Sequence, residues 1–332
     1  MPLADAVFIE YIDDSQPELY YDKISSFFIG FNAYTLMIES PLLQRLPVGA
    51  RYMIMSALAF SVMSLFVKLL GEGIPVLEIV AARSVVSLLI SYVSLKRLQL
   101  GLFGQRKGLL FARGLVGFMA LNCVFYAITK LPLAEATVLQ YMHPMFTAGL
   151  ALIFLKERFS LATLACIALS FIGLLFVVRA ELVFSTVVQD FDDFAVWVAV
   201  AGALGSAVAY VLVRALAKTE HPLVIVFYFP LVSLPCSIFL LWDAFVMPEG
   251  MSWLYLLAVG VFTQVGQVSL TRAMQTETAS RATSFAYLQV VFAMLLGAIF
   301  YQEIPPIGTF IGACLIIAAA YLNVVWQKKT TN

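Results

Sequence analysis

His143 falls in the middle of a long apolar run, next to Pro144, and 146 residues later the middle of a second run carries Gln289. Tyr141 and Tyr287 stand in the same relation. An imidazole, an amide and two phenols at one depth can exchange hydrogen bonds with a polar solute. Pro144 adds a backbone carbonyl deprived of its N–H partner. The competing role for the same groups is to bond one helix to another. Gln264 and Gln267, three residues apart in "FTQVGQVSL", put two amides on adjacent positions of one helix face. Asn122 is their nearest counterpart in an earlier run; the same offset leads from it to Val268. Amides suit neutral or zwitterionic solutes, and they also suit helix packing.

Arg83 lies about eight residues, roughly 12 Å, into its run. A charge at that depth must be paired or hydrated. Its guanidinium would either fork onto a carboxylate or pair with Glu78 or Glu135. Arg113, close to the start of its run, reads as interfacial, its head snorkelling to water. Glu157 and Glu303 stand 146 residues apart, each at the exit of a run. They read as caps for the helices that follow, with a gate contact as the alternative. His143 is the one central side chain with an ordinary pKa near neutrality. It either carries a coupling proton or hydrogen-bonds the solute in an uncoupled facilitator or exchanger.

These residues need a scaffold, and composition says which. Of 332 residues, 62% are hydrophobic and 12% charged, against about 25% charged in soluble domains. The chain is therefore an all-α integral membrane protein. Its zero net charge gives no reason to expect nucleic acid. Cys123, Cys166, Cys236 and Cys314 all lie inside apolar runs with no paired spacing and read as small buried hydrophobes. No metalloprotease, phosphate-binding or nucleophile-elbow motif is present, and nothing calls for a metal or cofactor. The chain does not read as an enzyme.

Ten spans are expected, at about 51–70, 75–95, 109–128, 133–155, 160–178, 194–215, 222–242, 252–272, 280–301 and 306–326. Each is long enough for a hydrocarbon core of about 30 Å. Residues 127–157 and 273–303 align with nine identities, among them Ala136/Ala282, Thr137/Thr283, Phe146/Phe292 and Glu157/Glu303. Unrelated apolar stretches would share roughly three, so the chain is a duplication. Five spans is an odd number, and the second repeat must sit upside down relative to the first. Inverted repeats belong to secondary transporters, with the solute site near the midplane where the repeats meet. The organisation expected is an acidic tail over 1–50 that carries an interfacial helix or, as the alternative, an eleventh span, a first repeat over 51–178, an acidic linker over 179–193, a second repeat over 194–326 and a short tail over 327–332. With both termini cytoplasmic, 15 basic residues face the cytoplasm and 3 the opposite side, which sets the orientation in an inner or plasma membrane.

The stretch RGLVGFMALNCVFYAITKLPLAEATVLQYMHPMFTAGLALIFLKERFS (113–160) resembles the EamA domain of the drug/metabolite transporter superfamily. The likeness rests on the arginine and glycine opening the third span, the turn YAITKLPLAEA, the proline of the fourth span and its LKER exit. Arg83 in EIVAARSVVSLLI matches an arginine usual in the second span, and a weaker copy ends FYQE. Lys156 departs from the usual glycine before the exit glutamate. The resemblance covers about 51–326. It implies a carrier in which spans one to four and six to nine surround the site while five and ten support it. Gly308 and Gly312 form a GxxxG in the last span, suited to those supporting spans or to a homodimer. The expected function is a secondary transporter, an exporter or exchanger, that moves small polar or amphipathic metabolites across the bilayer by alternating access. A non-transporting sensor or regulatory subunit, and a membrane-embedded enzyme, are the alternatives.

Overall fold

The computed structural model describes residues 46–70, 73–131, 133–157, 161–178, 193–241, 245–302 and 307–331. The expected interfacial helix of the tail and the acidic linker lie outside the described residues. The described helices are α1 (Val48–Leu70), α2 (Val76–Arg97), α3 (Lys107–Lys130), α4 (Leu133–Gln140), α5 (His143–Phe154), α6 (Leu161–Val178), α7 (Asp193–Leu216), α8 (Pro222–Leu241), α9 (Ser252–Thr276), α10 (Ala279–Ser284), α11 (Leu288–Tyr301) and α12 (Ile307–Thr331). Among the described residues there is no strand. Among the described residues nine segments are long and apolar enough to cross a membrane. α6, with 18 residues, reaches about 27 Å, close to the full hydrocarbon thickness. Spans four and nine are each built from two helices, α4 with α5 and α10 with α11.

Packing obeys the repeat. α1 lies along α9, and its counterpart α7 lies along α3; α1 also meets α11, as α7 meets α5. Three elements meet their own counterparts: α2 packs on α8, α6 on α12, and span four on span nine. This is the pairing that a two-fold pseudo-symmetry relating inverted halves requires. Small residues let the helices approach. A methyl group on Gly205 would sit 3.0 Å from the Ala120 Cβ where α7 crosses α3. Gly173 of α6 faces the Gly312 carbonyl of α12, 2.8 Å from where its own Cβ would be. Gly312 thus packs within the chain, as a supporting pair needs.

Polar groups fasten the loops to this frame. Glu220, buried in the turn before α8, accepts the N–H groups of Gln105 (2.8 Å) and Arg106 (2.6 Å). Those N–H groups open α3 and have no acceptor within that helix. Gly104 makes the approach feasible: its φ is +56° and a Cβ would lie 2.6 Å from the Glu220 carboxylate. His221 then accepts the Leu223 N–H at Nδ1 (3.3 Å), and Pro222 starts α8 where no N–H is needed.

Candidate functional site

The centre of the bundle is a pair of broken helices. Pro144 has no N–H to offer the Gln140 carbonyl, and the Met145 and Phe146 N–H groups both turn to Met142 O (3.0 and 3.2 Å). The Tyr141 carbonyl is left facing the interior. The Tyr287 hydroxyl donates to it at 3.0 Å, and the two phenol rings stack with centroids 5.9 Å apart. Tyr287 is fully buried and Tyr141 nearly so. Span nine tightens at the same depth into a 3-10 turn, Phe285–Tyr287, and Ser61 of α1 donates to the Gln289 carbonyl just beyond it (2.9 Å). Both half-helices, α5 and α11, therefore begin at the centre of the molecule.

A cavity of about 70 Å³ opens beside the tyrosine pair, bordered by Gln140, Tyr141, His143, Ser206, Tyr210 and Gln289. That is room for several waters. The structure thus brings together four of the residues singled out in the sequence: Tyr141, His143 and Gln289 on the wall, and Tyr287 behind them. Tyr210 joins them from α7, its ring edge-on to His143 at 5.0 Å. The His143 Nδ1 is buried and has no hydrogen-bond partner, so one ring nitrogen of a residue on the cavity wall is left unused by the protein. Asn122 lines neither this cavity nor the next; its amide donates to Phe118 O within α3 (2.8 Å).

A second, water-sized cavity of about 10 Å³ lies against Arg83, Ser87, Phe229 and Gln267. Arg83 and Phe229 are 146 residues apart, so here too repeat counterparts meet. The Arg83 guanidinium sits 5.3 Å from the Phe229 ring centroid and that of Arg113 sits 5.0 Å from the same centroid. Arg113 also donates to Gln267 Oε1 (2.8 Å). It is 4% exposed and not snorkelled, because α8 and α9 cover the face of α3 that carries it. Arg83 does not pair with Glu78, which accepts the Val246 N–H (3.0 Å) at the far end of α2. The Glu135 side chain lies outside the described residues. Gln264 points the other way from Gln267 and donates to Ser91 (2.8 Å), so the two amides serve different helices.

At one end of the bundle Glu157 spans both repeats. It takes Arg214 Nε at 2.6 Å and the Ala279 N–H at 2.9 Å. Arg214 in turn donates to the Met274 carbonyl (2.5 Å). Glu157 therefore caps α10, in the other repeat, where a cap on its own following span was expected. Its counterpart Glu303 lies outside the described residues. Three members of the centre escaped the sequence reading: Tyr210, Phe229 and the depth of Arg113. The offset of 146 from Arg83 to Phe229 was the one available signal, since phenylalanine in an apolar run is otherwise silent.

The model of the EamA-like transporter family matches residues 47–179 and again 193–325. The chain belongs to the EamA-like transporter family. Its two matched segments are the two repeats that meet at the tyrosine pair. This EamA-like transporter is 34% identical over 278 residues to the pseudopaline exporter CntI of Pseudomonas aeruginosa, covering 83% of this chain and 96% of that one. It is 30% identical over 286 residues to solute carrier family 35 member G1 of Mus musculus, covering 82% and 77% respectively. A solved crystal structure superposes with a TM-score of 0.74 at 18% identity, over 86% of this chain and 99% of that chain, a likeness of fold. The protein is a multi-pass membrane transporter of small solutes.

Proposed function

We propose that this EamA-like transporter exports small polar or amphipathic metabolites across the plasma membrane by alternating access, with both termini cytoplasmic and no enzymatic step. The observation that carries the reading is the hydrogen bond between repeat counterparts, Tyr287 to Tyr141, beside a polar cavity at the depth where both repeats break. Polar groups there have no lipid-facing use. Tyr141, His143, Tyr210 and Gln289 would read the solute by donor and acceptor. The Glu157–Arg214–Ala279 cluster would be a gate, closed here, at the cytoplasmic end. Outward direction is supported by the likeness to a named exporter, and orientation by the 15 to 3 partition of basic residues. Gln264, Asn122 and Glu78 would serve packing.

The test is flux. Metabolites that accumulate in cells lacking the protein are loaded into proteoliposomes carrying it. Efflux of those compounds, lost when Tyr210 and His143 are both replaced by alanine, is the expected result. Absence of flux for every accumulated compound would mean that the chain acts on them by some route other than carriage.

A further inference from the structure

The carrier reading leaves two buried arginines without a purpose. Arg83 and Arg113 are 8% and 4% exposed. Among the described residues neither makes an ion pair, and both guanidiniums lie within 5.3 Å of one ring centroid, that of Phe229. Arg83 Nε, Arg113 Nε and Arg113 Nη1 are buried with no hydrogen-bond partner, as is Ser87 Oγ. The Phe229 ring that both guanidiniums contact offsets part of the cost of burial by cation–π attraction. It cannot offset the proximity of two like charges, nor can it accept in-plane hydrogen bonds. A structural pair would have evolved toward a carboxylate neighbour or toward neutral residues. Arg83 and Ser87 line the water-sized cavity, Arg113 is joined to it through Gln267, and unsatisfied donors of one sign at a cavity are what an anion completes.

We infer that Arg83 and Arg113, which share the Phe229 contact, form an anion subsite that takes the carboxylate of the transported solute. The inference rests on the carrier reading above and adds the solute's chemical class. Ser87 and Gln267 border the subsite. The larger cavity, with Tyr210, His143 and Gln289 on its wall, would take the polar body of the same solute. Two further features favour negative charge. The positive ends of α5 and α11 begin at the larger cavity, and among the described residues neither cavity wall carries an Asp or Glu. In the arrangement seen here the arginine cavity is only water-sized, and the carboxylate enters when α2 and α8 part.

Thermal unfolding of the full chain in detergent micelles, titrated with sodium succinate or with neutral succinamide at constant ionic strength, tests the subsite. The wild type is expected to be stabilised saturably by succinate and not by succinamide. Arg83→Gln and Arg113→Gln should each raise the half-saturating succinate concentration by about tenfold or more, equivalent to about 1.4 kcal/mol. Lys218→Gln, in an exposed loop, should leave it unchanged. Gln267→Glu supplies the carboxylate in cis beside Arg113. It should keep the folded protein, unfold at a higher temperature without ligand, and lose the succinate response. No difference between succinate and succinamide in the wild type overturns the inference, and so does a response that survives both arginine substitutions. The titration reads binding, so it succeeds or fails independently of flux: a succinate response in a protein that moves no solute would leave the subsite standing and remove the carrier.

Discussion

His143 and His221 show how differently two histidines are used in one chain. His143 borders the larger cavity, with Tyr141 and Tyr210 as its ring neighbours and, among the described residues, no carboxylate on the cavity wall. A lone imidazole without an acidic partner is a poor proton relay, and under the proposed function its part is to hydrogen-bond the solute. His143→Gln copies its counterpart Gln289 and removes the titration. In proteoliposomes this variant is expected to keep most of the solute exchange, and an imposed pH gradient should drive neither it nor the wild type. Gradient-driven flux in the wild type that the glutamine variant loses while still exchanging would make His143 the proton carrier. His221 lies outside the spans, at the turn into α8. Burial first, then the nearby Arg272, lowers its pKa from the ordinary 6.5 to about 4. Between those values the unfolded chain binds a proton that the folded chain refuses, so this contribution to stability is complete above about pH 6.5 and is lost as pH falls toward 4. His221→Asn keeps an acceptor at the helix start and does not titrate. Its unfolding temperature should fall less than that of the wild type between pH 7 and 5; parallel curves would show that His221 is not the group that titrates.

At the scale of elements, the two broken spans carry the site, and they were unequally visible beforehand. Pro144 announces the break in span four, since proline removes an N–H and a carbonyl must find another donor. Span nine breaks at the same depth over "FAYLQ" with no proline or glycine to mark it; only its relation to span four by the offset of 146 points there. Tyr141 and Tyr287 were legible as counterparts at one depth. That one would donate to the other's carbonyl depends on how the halves cross, which periodicity does not encode. Arg113 misled for a related reason. Distance from the end of a run says how far a head group is from water along its own helix, but Phe229 and Gln267, which cover it, come from helices more than a hundred residues away. Glu157 likewise finds its partners in the other repeat. Removing the central hydrogen bond by Tyr287→Phe leaves the buried Tyr141 carbonyl unpaired, at a cost of about 1–3 kcal/mol. Chemical or thermal unfolding of the two proteins should show that loss with the ring stacking kept. Equal stabilities would mean the carbonyl finds another donor and the bond is incidental.

For the whole molecule, ten hydrophobic segments, their duplication and their inversion followed from composition, spacing and an odd span count. The solved fold likeness and the family match agree with that architecture. Function follows from the symmetry. Two inverted halves that share a centre have two equivalent ways to pack, each opening the cavity to one side, and here the Glu157 cluster ties the halves together at one end. The central claim is that a single polar cavity is reached alternately from both faces of the membrane. Ser206 borders that cavity and is half-buried, its hydroxyl turned back to Gly202 O (2.9 Å), so a cysteine fits in its place. With Cys123, Cys166, Cys236 and Cys314 replaced by alanine or serine, Ser206→Cys is the only thiol for an impermeant reagent. Applied in turn to each face of oriented vesicles, the reagent is expected to label this cysteine from both sides, at rates that a transported solute lowers on both. Labelling confined to one face under every solute condition would contradict alternating access.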